Sequence, residues 1–397
     1  MTNEQKLTAN PPLKRILTIS ILGRLAHDIA NRIVYPFAPE LAAGLRIPLD
    51  QFGALLSLRS GIGIVGPIFG ALSDRIGHRR SMTIGLLLVA VGMGLIGLSQ
   101  GLIMPALGFV IAGIGSAIYV PTVIAYASER TPYQRRGRVL GTIELSWAAS
   151  GMVGLPLMGV LIGALGWRAP LIGLAVAALI CALLTRLLEE TRHSAVTTTL
   201  FNFGAVLRNR SALAFIAAWF LVFFAFENIQ VSYGGWFEAH FGLSTVDRGG
   251  VQTLFGIFEI SASLSSSLFL DRIGKKRGVI GGLIVVVIGY GLLVAFGSST
   301  LTWAIAAISV AYLGFEFSVV SGLSVMSELV PQARGTMLAF GATAGSLGRM
   351  VADLIGNAIT LQAGFIWTAL LALVAGVLTV GVFALGVKER QSGQLTN

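Results

Sequence analysis

Residues Gly70 to Arg80 read GALSDRIGHRR, a short basic turn caught between two long apolar runs. The run 49–72 enters the turn and the run 80–99 leaves it. Each is long enough to cross about 30 Å of hydrocarbon at a helical rise of about 1.5 Å per residue. Spans joined this tightly are antiparallel neighbours. Gly70 lets the two helices approach closely, Asp74 can cap or attract a helix N-terminus, and Gly77 permits a sharp reversal of the backbone. Arg75, Arg79 and Arg80 hold the turn at an anionic membrane face.

Composition agrees with a membrane setting. Of 397 residues, 55% are hydrophobic and 12% charged, and the mean hydropathy is +0.82. A soluble domain carries about 25% charged residues, so an ordinary soluble protein is excluded. The net charge of +10 could suggest nucleic acid, but the basic residues gather in the loops between spans, so a lipid bilayer is the expected partner and nucleic acid is not. The single cysteine, Cys181, lies in an apolar run and can form no intrachain disulfide. The polar start MTNEQKLTANPPLKR is too charged for a signal-peptide core, so no cleavage is expected. A phosphate-binding Gly-x-x-x-x-Gly-Lys stretch, a cysteine pair and a His-Glu-x-x-His motif are all absent from the sequence, so neither ATP drive, a metal nor another cofactor is expected.

Twelve candidate spans follow, near 14–40, 49–72, 80–99, 103–127, 138–163 and 168–188, then 211–236, 249–270, 278–296, 301–326, 335–362 and 365–386. Such runs in lipid must be helices, because the backbone has to satisfy its own hydrogen bonds. The tails, the linker and the even-to-odd loops hold 21 of the 28 Lys and Arg residues, and only Arg46, Arg168 and Arg248 fall on the opposite side. Both termini are therefore expected in the cytoplasm, with the chain in the plasma (inner) membrane. The polar stretch 189–210 reads as a linker between halves 1–188 and 211–397.

The halves repeat. LFLDRIGKKR, from Leu268 to Arg277, echoes the opening turn, with Asp271 and Arg272 answering Asp74 and Arg75. Tyr35 and Tyr233, Glu40 and Glu238, and Gly137 and Gly335 are each 198 residues apart. Internal repeats in a membrane protein point to a transporter with its site near mid-membrane. The turn Gly-x-Leu-Ser-Asp-Arg-x-Gly-His-Arg and its second copy resemble the signature loop of the major facilitator superfamily, with Ser73 and His78 as mild departures. That resemblance implies an all-α integral membrane protein, with twelve transmembrane helices in two pseudo-symmetric six-helix bundles.

A charged group at the centre of a span costs about 2.5 to 3.5 kcal/mol on insertion scales, so such residues face a cavity or a partner. Ten lie there: Asp28, Glu144, Glu227, Glu259, Glu316 and Asp353, with Arg24, Arg32, Arg59 and Arg349. In the first span Arg24, Asp28 and Arg32 recur every four residues beside His27, Asn31 and Tyr35, forming one polar face. Asp28 between arginines is a structural ion pair or a proton carrier; a cavity arginine could anchor an anion; His27 is a hydrogen-bonded spectator or a relay. Glu227 and Glu316 have no basic residue within a turn of their own helices and are the first candidates for proton coupling, with Glu259 similar.

By resemblance, spans 1, 4, 7 and 10 surround the cavity, which makes Tyr119, Thr122, Tyr126, Asn228, Gln230 and Tyr233 candidate lining. By resemblance too, spans 2 and 11 line the boundary between halves, making Arg59 with Asp353 a gate pair; Arg349 with Asp353, one turn apart, is the alternative. Gly70, Asp74, Arg75, Gly77, Arg79, Asp271 and Arg272 would govern the cytoplasmic gate. GMVGLPLMG, from Gly151 to Gly159, partly matches the span-5 motif of proton-driven antiporters, although Phe109 stands where those proteins carry an arginine. The expected function is secondary transport of a small molecule by alternating access, coupled to protons, with efflux of drug-like or metabolic compounds favoured and import of an organic anion the alternative. A non-transporting receptor and an enzyme are the more distant classes, and a monomer is the expected state. Eleven of the twelve prolines precede residue 171, so kinks are expected in the N-terminal half.

Overall fold

A computed structural model describes residues 13–131, 133–190 and 203–388 of the chain. Its helices are α1 (Leu13–Arg32), α2 (Ala38–Leu45), α3 (Leu49–Ile62), α4 (Gly66–Ile76), α5 (His78–Leu98), α6 (Ile103–Glu129), α7 (Tyr133–Ala149), α8 (Leu155–Leu165) and α9 (Arg168–Thr185). They continue with α10 (Phe203–Leu207), α11 (Arg210–Phe241), α12 (Thr245–Ile273), α13 (Lys275–Phe296), α14 (Leu301–Leu329), α15 (Arg334–Ala363) and α16 (Phe365–Gly386). Among the described residues ten helical segments are long and apolar enough to cross a membrane. The two other long helices, α1 and α15, carry the charges Arg24, Asp28, Arg32, Arg349 and Asp353. The protein is an all-α integral membrane protein. Leu98, Leu165 and Leu385 are among the exposed apolar side chains, as expected where lipid replaces water. Of the N-terminal tail and the linker, residues 1–12 and 191–202 lie outside the described residues.

Proline placement sets the kinks. The first span, expected unbroken over 14–40, stops at Arg32 and resumes as α2 after a turn at 33–37. Pro36 has no N–H to donate, and its ring would collide with the Arg32 carbonyl four residues back. Arg46, at φ 59°, closes α2 in the left-handed region. The second span changes to a tighter 3₁₀ turn at Gly63–Val65 ahead of Pro67, and the fifth widens into a π-type turn at Ser150–Gly154 ahead of Pro156. Helix α6 runs on through Pro121. By contrast α11 to α16 are each continuous, including the glycine-rich 341–348 of α15. Start signals are conventional: Asn209 caps α11, and Ser244 with Asp247 forms a capping box at α12.

The repeat is visible in the backbone. Gly77 (φ 94°, ψ 142°) and Gly274 (φ 89°, ψ 142°) reverse the chain identically at the two copies of the basic turn, a conformation that favours glycine. At Gly77 an added Cβ would also meet the Glu190 carboxylate. Close helix crossings repeat as well. A Cβ on Gly115 would meet the Gly85 carbonyl on α5 at 2.6 Å, and one on Gly314 would meet the Gly282 carbonyl on α13 at 2.6 Å. Small residues let α5–α6 and α13–α14 approach backbone to backbone. The N-terminal helices meet the C-terminal ones mainly where α3 faces α15 and where α8 faces α12.

Enlarging either crossing should be costly. Gly115→Leu and Gly314→Leu are each expected to lower stability by about 1–3 kcal/mol through overpacking, read as a fall in Tm in detergent. Gly281→Ala, whose Cβ enters open space, should leave Tm unchanged or raise it slightly.

Candidate functional site

The polar face of α1 forms as its four-residue spacing predicts. Arg24 Nε donates to both Asp28 oxygens at 3.0 Å, and Arg24 Nη2 reaches Glu144 Oε2 of α7 at 3.4 Å. His27 Nδ1 lies 2.8 Å from Asp28 Oδ1 and its Nε2 lies 2.9 Å from Ser116 Oγ on α6. Asp28 is completely buried and held in a closed ion pair.

One turn on, Arg32 joins the N-terminal helices to the C-terminal ones. Its Nη1 and Nη2 donate to the two oxygens of Glu259 on α12 at 2.9 and 3.1 Å, a bidentate fork. Nη1 also donates to the Trp147 carbonyl at 3.0 Å, the guanidinium lies 4.6 Å from the Trp147 ring centroid, and Trp147 Nε1 donates to Glu259 Oε1 at 3.3 Å. The sequence placed Glu259 among carboxyls without a cation on their own helix. The structure supplies the cation from the opposite set of helices, because the partner lies 227 positions away in the chain.

A second cross-set cluster surrounds α11 and α15. Neither proposed partner of Asp353 makes an ion pair with it. Asp353 instead accepts from Ser60 Oγ at 2.5 Å, while Arg59 donates to the Asn31 carbonyl at 2.9 Å and to the Tyr35 hydroxyl at 2.8 Å. Arg349 turns from Asp353 toward Glu227, with Nε 3.8 Å from Glu227 Oε2 and the guanidinium 4.2 Å from the Phe223 ring centroid. The expected Arg59–Asp353 gate pair is therefore corrected, and so is its Arg349–Asp353 alternative: α11 presents a carboxylate and an aromatic face to α15 that outcompete a same-helix contact. Glu227 Oε1 and Asp353 Oδ1 are buried without a hydrogen-bond partner.

Glu316 accepts from Ser263 Oγ at 3.0 Å. Tyr312 donates to Gln230 Oε1 at 2.5 Å and Tyr233 to Gln252 Oε1 at 3.2 Å. Asn228 donates to the Phe224 carbonyl and leaves Oδ1 unpartnered. The expectation that Tyr119, Thr122 and Tyr126 line a central cavity is not met. They share one face of α6 that packs within the N-terminal helices. Tyr119 and Tyr126 belong to a core with Met82, Leu86 and Cys181, Thr122 meets Ser73, and the Tyr126 hydroxyl donates to the Glu189 carbonyl. Helical periodicity identifies a face without saying which neighbour it meets.

In the basic turn, Arg79 donates to Glu190 Oε2 at 3.0 Å, and Arg75 and Arg272 are exposed. Gly70 lies within α4, and the side chains of Asp74 and Asp271 lie outside the described residues. At the opposite end, near Arg46 and Arg168, Arg248 is fully buried between Glu40 and Glu238, with Nη1 3.3 Å from Glu238 Oε2 and donating to the Pro36 carbonyl at 3.2 Å. Sequence reasoning used Arg248 only to set orientation. That Glu40 and Glu238 are repeat equivalents was the available signal. Trp147, Ser60, Ser116, Phe223 and Tyr312 were not singled out, since an aromatic or hydroxyl within a span carries no mark of its partner.

Hydrogen bonds between the two sets of helices, among them Arg32–Glu259, Thr253 to the Met152 carbonyl, Ser60–Asp353, Asn357 to the Leu49 carbonyl, and Arg248 and Thr245 to Glu40, extend from mid-span toward the Arg248 end. Thr343 to the Ile64 carbonyl, at 3.2 Å, reaches furthest the other way among them.

A family model described as the Major Facilitator Superfamily matches residues 21–352 and 220–397. The chain is 24% identical over 394 residues to an uncharacterised MFS-type transporter, YwfA, of Bacillus subtilis, covering 97% of this chain and 94% of that one. It is 24% identical over 385 residues to a multidrug resistance efflux pump PmrA homologue of Lactococcus lactis, covering 91% and 93%. Among solved structures, a D-xylose–proton symporter superposes with a TM-score of 0.77 at 17% identity, over 95% of this chain and 98% of that one.

Breaking the Arg32–Glu259 fork on one side should strand a buried charge. Arg32→Met is expected to lose about 3–5 kcal/mol, and the double variant Arg32→Met, Glu259→Gln should recover most of it. The comparison is read from denaturation midpoints of detergent-purified protein.

Proposed function

From the premise that this chain belongs to the Major Facilitator Superfamily, we propose that it exports drug-like or metabolic compounds by alternating access, coupled to protons moving the other way. The helices before residue 189 and those after 210 act as two bodies that rock about the mid-span charged layer. Both termini and the basic turns face the cytoplasm on this reading. The contacts gathered toward the Arg248 end support closure on the far side, leaving the site reachable from the cytoplasm, as loading for efflux requires.

The observation that carries the reading is the distribution of charge partners. Arg24 and Arg32 pair with Asp28 and Glu259, and Arg59 is held by Tyr35 and the Asn31 carbonyl. An imported anion would have to displace one of these. Asp353 and Glu316, in contrast, make no ion pair among the described residues; each is held by a serine hydroxyl. A carboxyl not committed to a fixed cation is the group suited to gain and lose a proton. We assign proton carriage to Asp353 and Glu316, and move it away from Glu227, which faces Arg349, and from the paired Asp28 and Glu259. The relative in Lactococcus named as a multidrug efflux pump supports the direction.

The test is proton release when ethidium or a comparable probe is added to detergent-purified protein in weak buffer. Native protein should release protons on binding. Release should fall by at least half in Asp353→Asn or Glu316→Gln while the probe still binds. Undiminished release in both variants, or binding by native protein without release, would contradict competitive antiport and favour symport or uniport.

A further inference from the structure

Arg349 is the least settled of the four mid-span arginines. Its side chain is 40% exposed, against 8% for Arg24 and 3% for Arg32. Its guanidinium makes no hydrogen bond to the carboxylate it faces, at 3.8 Å, yet it lies directly over the Phe223 ring at 4.2 Å. Below it, Glu227 is 4% exposed and keeps Oε1 without a partner. Phe223 meets Phe315 edge-on at 5.3 Å, and Phe315 stacks on Phe226 at 3.7 Å, so the apolar wall continues from the guanidinium into the helix contact. A buried carboxylate with an unmet oxygen, an aromatic face and a loosely held, partly exposed cation are the parts of a cation-binding site.

We propose that the Arg349 guanidinium occupies the seat of a monovalent organic cation, whose charge Glu227 receives and whose apolar body lies on Phe223, so that substrate enters by displacing Arg349. This rests on the export reading above and names its substrate class. The displaced guanidinium has a destination one turn along its own helix, at Asp353, a carboxyl that Glu227 of α11 and Arg59 and Ser60 of α3 also face and whose Oδ1 lacks a hydrogen-bond partner. There it stands beside a carboxyl assigned a proton. The O–H bond of Asp353 breaks, the proton passes to water and the carboxylate pairs with Arg349, so one organic cation enters for one proton lost and the charge of the site is unchanged. The exposed arginine thus acts as an internal competitor that keeps Glu227 from standing alone.

The experiment is equilibrium binding of tetraphenylphosphonium to the detergent-purified full chain, with tetraphenylborate as the anion of matching shape. Removing the competitor in Arg349→Ala, or in Arg349→Gln should the first variant fold poorly, should tighten tetraphenylphosphonium binding at least tenfold. Arg349→Lys should keep the native affinity within about threefold, as a cation that still competes. Glu227→Gln and Phe223→Ala should each weaken binding at least tenfold, and tetraphenylborate should gain nothing from Arg349→Ala. Tetraphenylphosphonium affinity unchanged or weaker in both neutral Arg349 variants would overturn the seat, as would tetraphenylborate binding that depends on Arg349. The outcomes separate this inference from the coupling assignment. Tighter cation binding without proton release leaves the seat standing and removes the coupling, whereas proton-linked binding indifferent to residue 349 does the reverse.

Discussion

A charge in hydrocarbon needs a partner, and two buried arginines of this chain, Arg32 and Arg248, take theirs across the boundary between the two sets of helices. Two isolated ions would be far more costly than one hydrogen-bonded pair in a low-dielectric interior. Arg32 therefore holds α12 against α1 through Glu259, and Arg248 holds α12 against α2 through Glu40. Both ties end on the same helix, about three turns apart. The N-terminal and C-terminal helices consequently meet through a few polar contacts set among small residues such as Gly53, Gly159 and Gly249, where an added Cβ would strike backbone of the facing helices. An interface of this kind holds one arrangement firmly and can be released by breaking a small number of pairs, which is what a two-state element requires.

The glycine crossings explain why each set can move as a body. Where α5 meets α6 and α13 meets α14, backbone lies against backbone, leaving little room for the helices to slide within a set. Compliance is left to the contact between sets. The proline-dependent breaks in α1–α2, α3–α4 and α7–α8 lie on the N-terminal side of that contact, whereas α11, α12 and α15 cross it unbroken. Arg349 and Glu144, each paired within its own set of helices, are only partly buried, as charged side chains within a span are where they face a cavity.

Much of this was legible in the sequence. The paired Asp-Arg-Ile-Gly turns announced the repeat, and the identical backbone of Gly77 and Gly274 shows why glycine stands there in both copies. Pro36, Pro67 and Pro156 marked the breaks. Arg24–Asp28 was readable because an i, i+4 pair is local. Partner choice across the chain was not. Nothing in the residues around Glu259 names Arg32, and nothing around Asp353 favours Ser60 over Arg59, since those choices are made by how α1, α3, α12 and α15 pack. Tyr119, Thr122 and Tyr126 show the same limit: their spacing defines a stripe on α6, and only the close approach of α5 through Gly85 decides that the stripe faces inward within its own set.

The central claim is that a few cross-set charge pairs hold two rigid bodies in one of two arrangements. It is tested most directly by distances between spin labels on a Cys181→Ser background, with one pair at Asp50 and Ala239 near the Arg248 end and another at Arg138 and Arg277 near the basic turns. Substituting Arg248→Gln removes the tie to Glu40 and Glu238. The account predicts a longer Asp50–Ala239 distance together with a shorter Arg138–Arg277 distance, as the bodies rock about the mid-span layer. Both distances unchanged, or both lengthened together in a protein that remains folded, would contradict it.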